Sequence, residues 1–272
     1  NNKAVLIAGH YDSVLRAPGA ADDVHAVACM LETARLLKKS HHENDIIFLI
    51  TDGEEMGLLG AKSFVEQRDI SNIGLVLNYE ARGNSGPSIS FEWSEGNAWL
   101  VKQVKKVGRR PIANSLSFEI YNLLPNDTDF TFFKKAGLPG INHAFIDGFS
   151  YYHNPDDSPE RLNMESVQHT GENMYHLVKH FANIDLSNVV SHNASFFNLF
   201  TSLIIYPASW DLFFLILTLL LVCFVLYKLF VTEKLKIKST LWAMLNLIFV
   251  LVLMGAAMKL LSSMLFKFYP QY

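Results

Sequence analysis

Cysteine is scarce: Cys29 and Cys223 are the only two in 272 residues. They fall in regions of opposite character, which argues against a disulfide framework. A surplus of basic residues is missing too. Lys and Arg total 23 against 26 acidic residues, a net charge of −3, so no basic face for nucleic acid is indicated. From residue 181 to residue 227 there is no Lys or Arg at all. No internal repeat or low-complexity tract interrupts the chain. The first residue is Asn, no signal peptide is recognisable, and the strand-like "KAVLIAG" follows at once. The expectation is that a longer protein extends beyond this stretch.

What is abundant is apolar residues, at 50% against 18% charged, and they are unevenly spread. Up to about residue 183 the chain mixes charged, polar and apolar residues as a globular domain does. Beyond Trp210 it is dominated by Leu, Phe, Val and Ile. Two runs, 212–231 and 239–258, match the ~20 residues that cross a bilayer. They lack the polar stripe of an amphipathic core helix. Trp210, Tyr227, Trp242 and Tyr269 stand near the ends of the runs, where interfacial aromatics sit. The connector carries Lys228, Lys234, Lys236 and Lys238, so the positive-inside rule puts it in the cytoplasm. The globular part then belongs on the other side, in a lumen, a periplasm or the exterior. The expected organisation is a globular domain over 1–185, a juxtamembrane linker over 186–210 and a membrane region over 211–272.

Strand-like and helix-like segments alternate in the globular part. "KAVLIAG", "DIIFLIT", "IGLVLNYE", "SISFEWS" and "LPGINHAF" read as strands, the second of them buried. "HAVACMLETARLLKK", "GLLGAKSFVEQ", "NAWLVKQVKKV", "FTFFKKAG" and "MESVQHTGENMYHLVKHFAN" read as helices. "SLSFEIYNLLPND" reads as a loop that shapes a specificity pocket. This order predicts an α/β fold, a mixed, mostly parallel central sheet with helices on both faces. Ligands of such sheets bind beyond the carboxyl ends of the strands. "GHYDS", "TDGEE" and "NYE" end strands, "PGAADD" enters the first helix, and "YYHNPDD" follows the last strand.

Taken singly these pieces are ordinary. Asp22 and Asp23 could cap a helix, and acidic turns such as Glu54–Glu55 are usually just solvated. Glu80 is less so, because a carboxylate on an apolar strand needs a partner. Together, two imidazoles and three carboxylates at one sheet edge make a nitrogen/oxygen set suited to zinc. Five ligands exceed what one catalytic zinc takes and suit two ions sharing a carboxylate. One acid is left to move protons.

The order H-x-D, G-A-x-D-D, G-E-E-x-G-x-x-G, N-x-E and Y-H-x-P-x-D resembles the co-catalytic di-zinc exopeptidases, which include bacterial leucyl aminopeptidases, aminopeptidase Y and glutaminyl cyclase. "NYEARGNSG" and "NDTDFTFFKKAGLPGIN" are similar to the membrane-bound branch, which contains the vacuolar membrane protease and the endoplasmic reticulum metallopeptidase. The resemblance covers residues 3–183 and implies the fold of the zinc exopeptidases. It implies two Zn2+ per chain, one held by His10 and Glu80, the other by Glu55 and His153, with Asp22 bridging. Glu54 would be the general base. Asp12 would accept from the second ring nitrogen of His10, and the Asp22–Asp23 peptide would be cis. Tyr152 is the candidate oxyanion donor, with plain packing beside a ligand as the alternative. Asp127 is the candidate for an outer or substrate-site carboxylate, and Arg82 could meet a substrate carboxylate or form an ion pair. Soluble members often carry Asp where this chain has Glu80, which leaves one- or two-oxygen binding open. The other eight histidines match no ligand motif. The implied function is a membrane-anchored zinc aminopeptidase acting on peptides. The alternatives are glutaminyl cyclisation on the same site, or a non-catalytic receptor-like relative, although no ligand is missing here. Oligomeric state is not legible.

Overall fold

A computed structural model describes residues 3–232 and 236–268. Lys234 and Tyr269, invoked above for topology, lie outside the described residues. The central sheet is built from β1 (Ala4–His10), β2 (Asp45–Thr51), β3 (Ile73–Ala81), β4 (Ile89–Trp93), β5 (Ile112–Ala113) and β6 (Gly140–Phe145), in the order β2-β1-β3-β6-β4-β5. Neighbours are parallel except where β4 runs antiparallel to β6.

Both β1 and β3 are buried along their whole length. That explains their unbroken apolar sequences, since a strand covered on both faces has no reason to alternate. Val5 and Ile7 face one core cluster with Met30 of α1 (His25–Leu37), Leu100 of α3 (Ala98–Val107) and Phe181 of α6 (Met164–Phe181). Leu6 and Ala8 face the other, with Ala61 of α2 (Leu59–Gln67) and Phe133 of α5 (Asp129–Lys135). Each fully buried Leu or Ile stabilises by ~1.5–3 kcal/mol, so the central strands are the rigid base on which the loops are mounted. The chain leaves β1 toward β2 on one side and returns to β3 on the other. The strand order reverses there, which opens a crevice at the carboxyl ends of β1 and β3.

Three expectations need correction. β2 was expected to be buried, but it forms the sheet edge, and only Thr51 among its residues is fully buried. A short apolar run does not distinguish an edge strand from a central one. "SLSFEIYNL" is not a loop but helix α4 (Ser115–Leu123), started by Asn114, whose Oδ1 accepts from the Ser117 N–H at 2.7 Å. It buries no residue fully, so it carries little helical signature. The linker expected at 186–210 contains a hairpin, β7 (Ala194–Leu199) and β8 (Ser202–Pro207), that places Phe196 and Leu203 in the core. Phe196 packs edge-on against Trp93 with centroids 5.2 Å apart. The globular unit therefore runs to Trp210, and the second unit begins at Asp211.

That second unit holds α7 (Asp211–Val231) and α8 (Ile237–Phe268). Two stretches, Ala208–Val231 and Lys238–Leu260, have mean hydropathies of 2.7 and 2.3 and are long enough to cross a membrane. Their described side chains are almost all exposed, not folded into a core.

Candidate metal centre

The four parallel strands end at the same edge, and their loops bring the candidate residues together. His10 is the last residue of β1 and Glu80 the penultimate one of β3. The register pairs Ala8 with Asn78, which carries His10 and Glu80 to neighbouring strand ends. Asp22 lies in a wide turn, Ala20–Val24, ahead of α1, and the Asp22–Asp23 peptide is cis as expected. Gly9 lets this turn lie against β1, because a Cβ there would meet Asp23 Oδ2 at 2.9 Å and Ala26 Cβ at 3.1 Å. The His10 amide donates to Asp23 Oδ2 at 3.2 Å. His153 follows the strand β6 and a short 3-10 turn, with φ of 54°.

Asp22 is the centre of the arrangement. Its Oδ1 lies 3.3 Å from Nε2 of His10, and its Oδ2 lies 3.2 Å from Nε2 of His153. On the first side Glu80 Oε2 is 3.6 Å from the same His10 nitrogen. On the second, Glu55 Oε1 is 3.0 Å from the same His153 nitrogen. Glu54 does not join the second group; its carboxylate clusters with His10 and Glu80, donor atoms within 4.8 Å of one another.

Asp12 does a different job from the one expected. His10 Nδ1 donates to the main-chain carbonyl of Asp12 at 2.9 Å, and the Asp12 carboxylate is further away at 3.6 Å. A carbonyl only accepts, so Nδ1 carries the proton and Nε2 is left to face Asp22 and Glu80. The Asp12 carboxylate instead takes the amides of Glu54 and Glu55, each at 3.1 Å, one on each oxygen. It ties the β1 loop to the β2 loop. A second brace went unassigned in the sequence. Asp157, the acid that closes Y-H-x-P-x-D, accepts from the amides of Ala21 and Asp22 at 2.8 and 3.2 Å and so holds the turn carrying Asp22. Asp127 accepts from Thr131 Oγ1 at 3.1 Å and braces no ligand. Its neighbour Asp129 is the buried acid, bound by the Thr51 hydroxyl.

The residues fit metal ions on two counts. Glu55 Oε1 is buried and accepts no hydrogen bond although Nε2 of His153 is beside it, as two donors aimed at a shared cation would be. The site also gathers negative charge where water is scarce. Burial, then the Glu80 charge, pushes Glu54 up to about 9. Burial likewise pushes Glu80 up to about 8. Burial alone would lower His153, but Asp22 and Glu55 outweigh it and raise it to about 9. For His10 burial is likewise outweighed, by Asp22 and Glu80, and its pKa stands well above the ordinary value. Acids that resist ionising and imidazoles that hold protons both mark a place short of positive charge, a shortage that bound dications relieve.

Beside this cluster opens a cleft of about 650 Å3, lined by Asp22, Glu54 and Glu80 at its polar end. Its apolar lining includes Phe91, Leu124, Ile146 and Phe149, with Ile120 and Tyr121 supplied by α4. Tyr152, Arg82 and Asp127 also face it. The Tyr152 ring stacks on the His153 imidazole, centroids 3.7 Å apart, and the Arg82 guanidinium lies 5.6 Å from the Tyr152 centroid. Burial, then the Asp22 and Glu55 charges, push the Tyr152 phenol well above its usual range, so it stays a proton donor. Of the unassigned histidines, His25 and His143 are buried, the latter stacked on Tyr79, and both act in packing.

Human endoplasmic reticulum metallopeptidase 1 is 35% identical over 191 residues, covering 67% of this chain and 21% of that protein. The vacuolar membrane protease of Candida dubliniensis is 33% identical over 192 residues, covering 70% and 19%. The chain thus spans about a fifth of the length of these curated relatives. Among solved structures, BSAP, a zinc aminopeptidase from Bacillus subtilis, shares the fold with a TM-score of 0.53 at 22% identity, over 68% of this chain and 48% of that one. The profile of Peptidase family M28 matches residues 1–178, the segment that supplies every one of the clustered side chains, and the chain belongs to that family.

Proposed function

We propose that the chain is a membrane-anchored zinc aminopeptidase that holds two Zn2+. The observation that carries this reading is the division of the Asp22 carboxylate between His10 and His153. His10, Glu80 and Asp22 would hold one ion, and Asp22, Glu55 and His153 the other. Ions held so supply Lewis acidity to a carbonyl oxygen and acidify water toward a pKa of ~7. Glu54, beside the His10–Glu80 pair, takes the proton of the attacking water on its carboxylate and delivers it to the leaving amine. The Tyr152 hydroxyl donates to the oxygen on which charge develops. The apolar wall of the cleft seats a hydrophobic side chain next to the scissile bond. Once Asp22, Glu54 and Glu80 are assigned to the ions and the proton, Asp127 and Arg82 are the charged residues left lining the cleft, and Asp127 is the group that would receive a substrate amine.

Peptides with free and with acetylated N-termini, incubated with the detergent-solubilised chain and followed by mass spectrometry, test this. The expected result is stepwise loss of N-terminal residues from the free peptides only, abolished by a chelator. Shortening from the C-terminus would transfer the recognition role to Arg82 and make the chain a carboxypeptidase. Loss of ammonia from N-terminal Gln, with no residue released, would make it a cyclase.

The globular unit is proposed to face a lumen, a periplasm or the exterior, because Lys228, Lys236 and Lys238 flank the connector while residues 181–227 carry no Lys or Arg. In sealed vesicles with the cytoplasmic face outward, added protease is expected to cut the connector and spare the unit ending at Trp210. Digestion of that unit in intact vesicles reverses the topology.

A further inference from the structure

Behind Glu80 a row of polar side chains crosses three strands. Asn78 of β3 is the register partner of Asn142 on β6, and Asn142 is the partner of Glu92 on β4. All three are buried. The Asn78 amide nitrogen donates to Glu80 Oε1 at 2.9 Å and to Asn142 Oδ1 at 3.0 Å. The Asn142 amide nitrogen donates to Glu92 Oε2 at 3.0 Å and to Thr128 Oγ1 at 2.8 Å. Lys134 of α5, half in solvent, donates to Glu92 Oε1 at 2.5 Å.

Each link fixes the next. A carboxylate only accepts, so Glu92 makes Asn142 present its nitrogen and turn its oxygen toward Asn78. That oxygen makes Asn78 present its nitrogen in turn, and both of its N–H groups are then used. Turning the Asn78 amide over would set its oxygen against Glu80 Oε1 and Asn142 Oδ1 together, which in a buried row is costly. Glu80 is therefore capped on Oε1, and only Oε2 is left facing His10, at 3.6 Å.

We infer that Asn78, Asn142 and Glu92 are positioning residues that orient Glu80 so that it offers one oxygen to a metal ion. This inference rests on the zinc reading above. It accounts for how the longer Glu side chain serves at this position: the second oxygen is occupied by the protein.

The test is zinc affinity, measured by equilibrium dialysis of the detergent-solubilised chain against chelator-buffered zinc, with thermal unfolding alongside. Asn78→Ala is expected to weaken zinc binding 10- to 100-fold, the range found when a ligand's outer partner is removed. Glu92→Gln, isosteric and touching no metal-facing residue, is expected to weaken it roughly tenfold, because its amide no longer dictates which way Asn142 turns. The double variant is expected to bind zinc no more weakly than Asn78→Ala alone, since an absent amide has no orientation to lose. Affinities within about twofold of the parent, or losses that multiply in the double variant, would overturn the relay. If Asn78→Ala does not fold, Glu92→Gln decides alone, and unchanged affinity in it overturns the proposal. A parent chain that binds no zinc sinks the proposed function, and the relay with it. A parent and variants that bind zinc equally sink the relay only.

Discussion

Glu54→Gln is expected to keep the proposed zinc and to lose hydrolysis by roughly 10³- to 10⁴-fold, the upper part of what a positioned proton carrier contributes. The substitution preserves shape and removes only the ability to take a proton. The backbone of residue 54 stays anchored, because its amide is held by Asp12 and not by its own side chain. Burial, then the charge of Glu80, raises the Glu54 carboxyl, and cations beside Glu80 would lessen the second contribution. Turnover number and zinc content are measured on the same preparation. Turnover within tenfold of the parent would remove Glu54 from proton transfer. Loss of zinc would show that it is a ligand, a role its place beside His10 and Glu80 makes a concrete rival.

Asp22→Asn is expected to reduce bound zinc from the proposed two ions per chain to one or none and to lower activity by more than about 10³-fold. That exceeds the 10- to 100-fold typical of a ligand's outer partner. Asp22 turns one oxygen to each imidazole. An asparagine keeps one oxygen and presents an NH2 on the other side, so one of the two positions faces a donor that cannot bind a cation. Which ion is lost depends on how the amide settles, but the count falls either way. Elemental analysis after dialysis measures it directly, and two retained ions with parental turnover would show that Asp22 does not bridge.

Much of this was legible because it is written locally. The unbroken apolar strings of β1 and β3 announce strands covered on both faces, and acids or imidazoles at their ends stand out against them. His10, Asp22, Glu55, Glu80 and His153 converge as the motif order implied. What was not legible depends on partners that sequence does not name. The Asp12 side chain was assigned to His10, two residues away, but the backbone carbonyl reaches that ring first and the carboxylate is drawn to amides 42 and 43 positions on. The row Asn78–Asn142–Glu92 exists only once β4 is known to run antiparallel beside β6. Helix α4 hides because it buries no residue fully, with Ile120 and Tyr121 lining a cleft and Leu116 and Leu123 exposed, and the hairpin of β7 and β8 hides behind a polar stretch that reads as a tether.

The scattering of the metal-facing residues has a consequence for biosynthesis. They stand at positions 10, 22, 55, 80 and 153, on loops that meet only when four parallel strands have been laid side by side. No two of them form a local chelate such as one helical turn would offer, so a nascent or half-folded chain presents zinc with nothing better than isolated side chains. On the two-zinc proposal, the position shared by Asp22, Glu55 and His153 would be complete only after β6 has joined the sheet and delivered the segment that carries His153. If the proposed zinc is bound, it is therefore acquired where folding brings these loops together and not by the nascent chain.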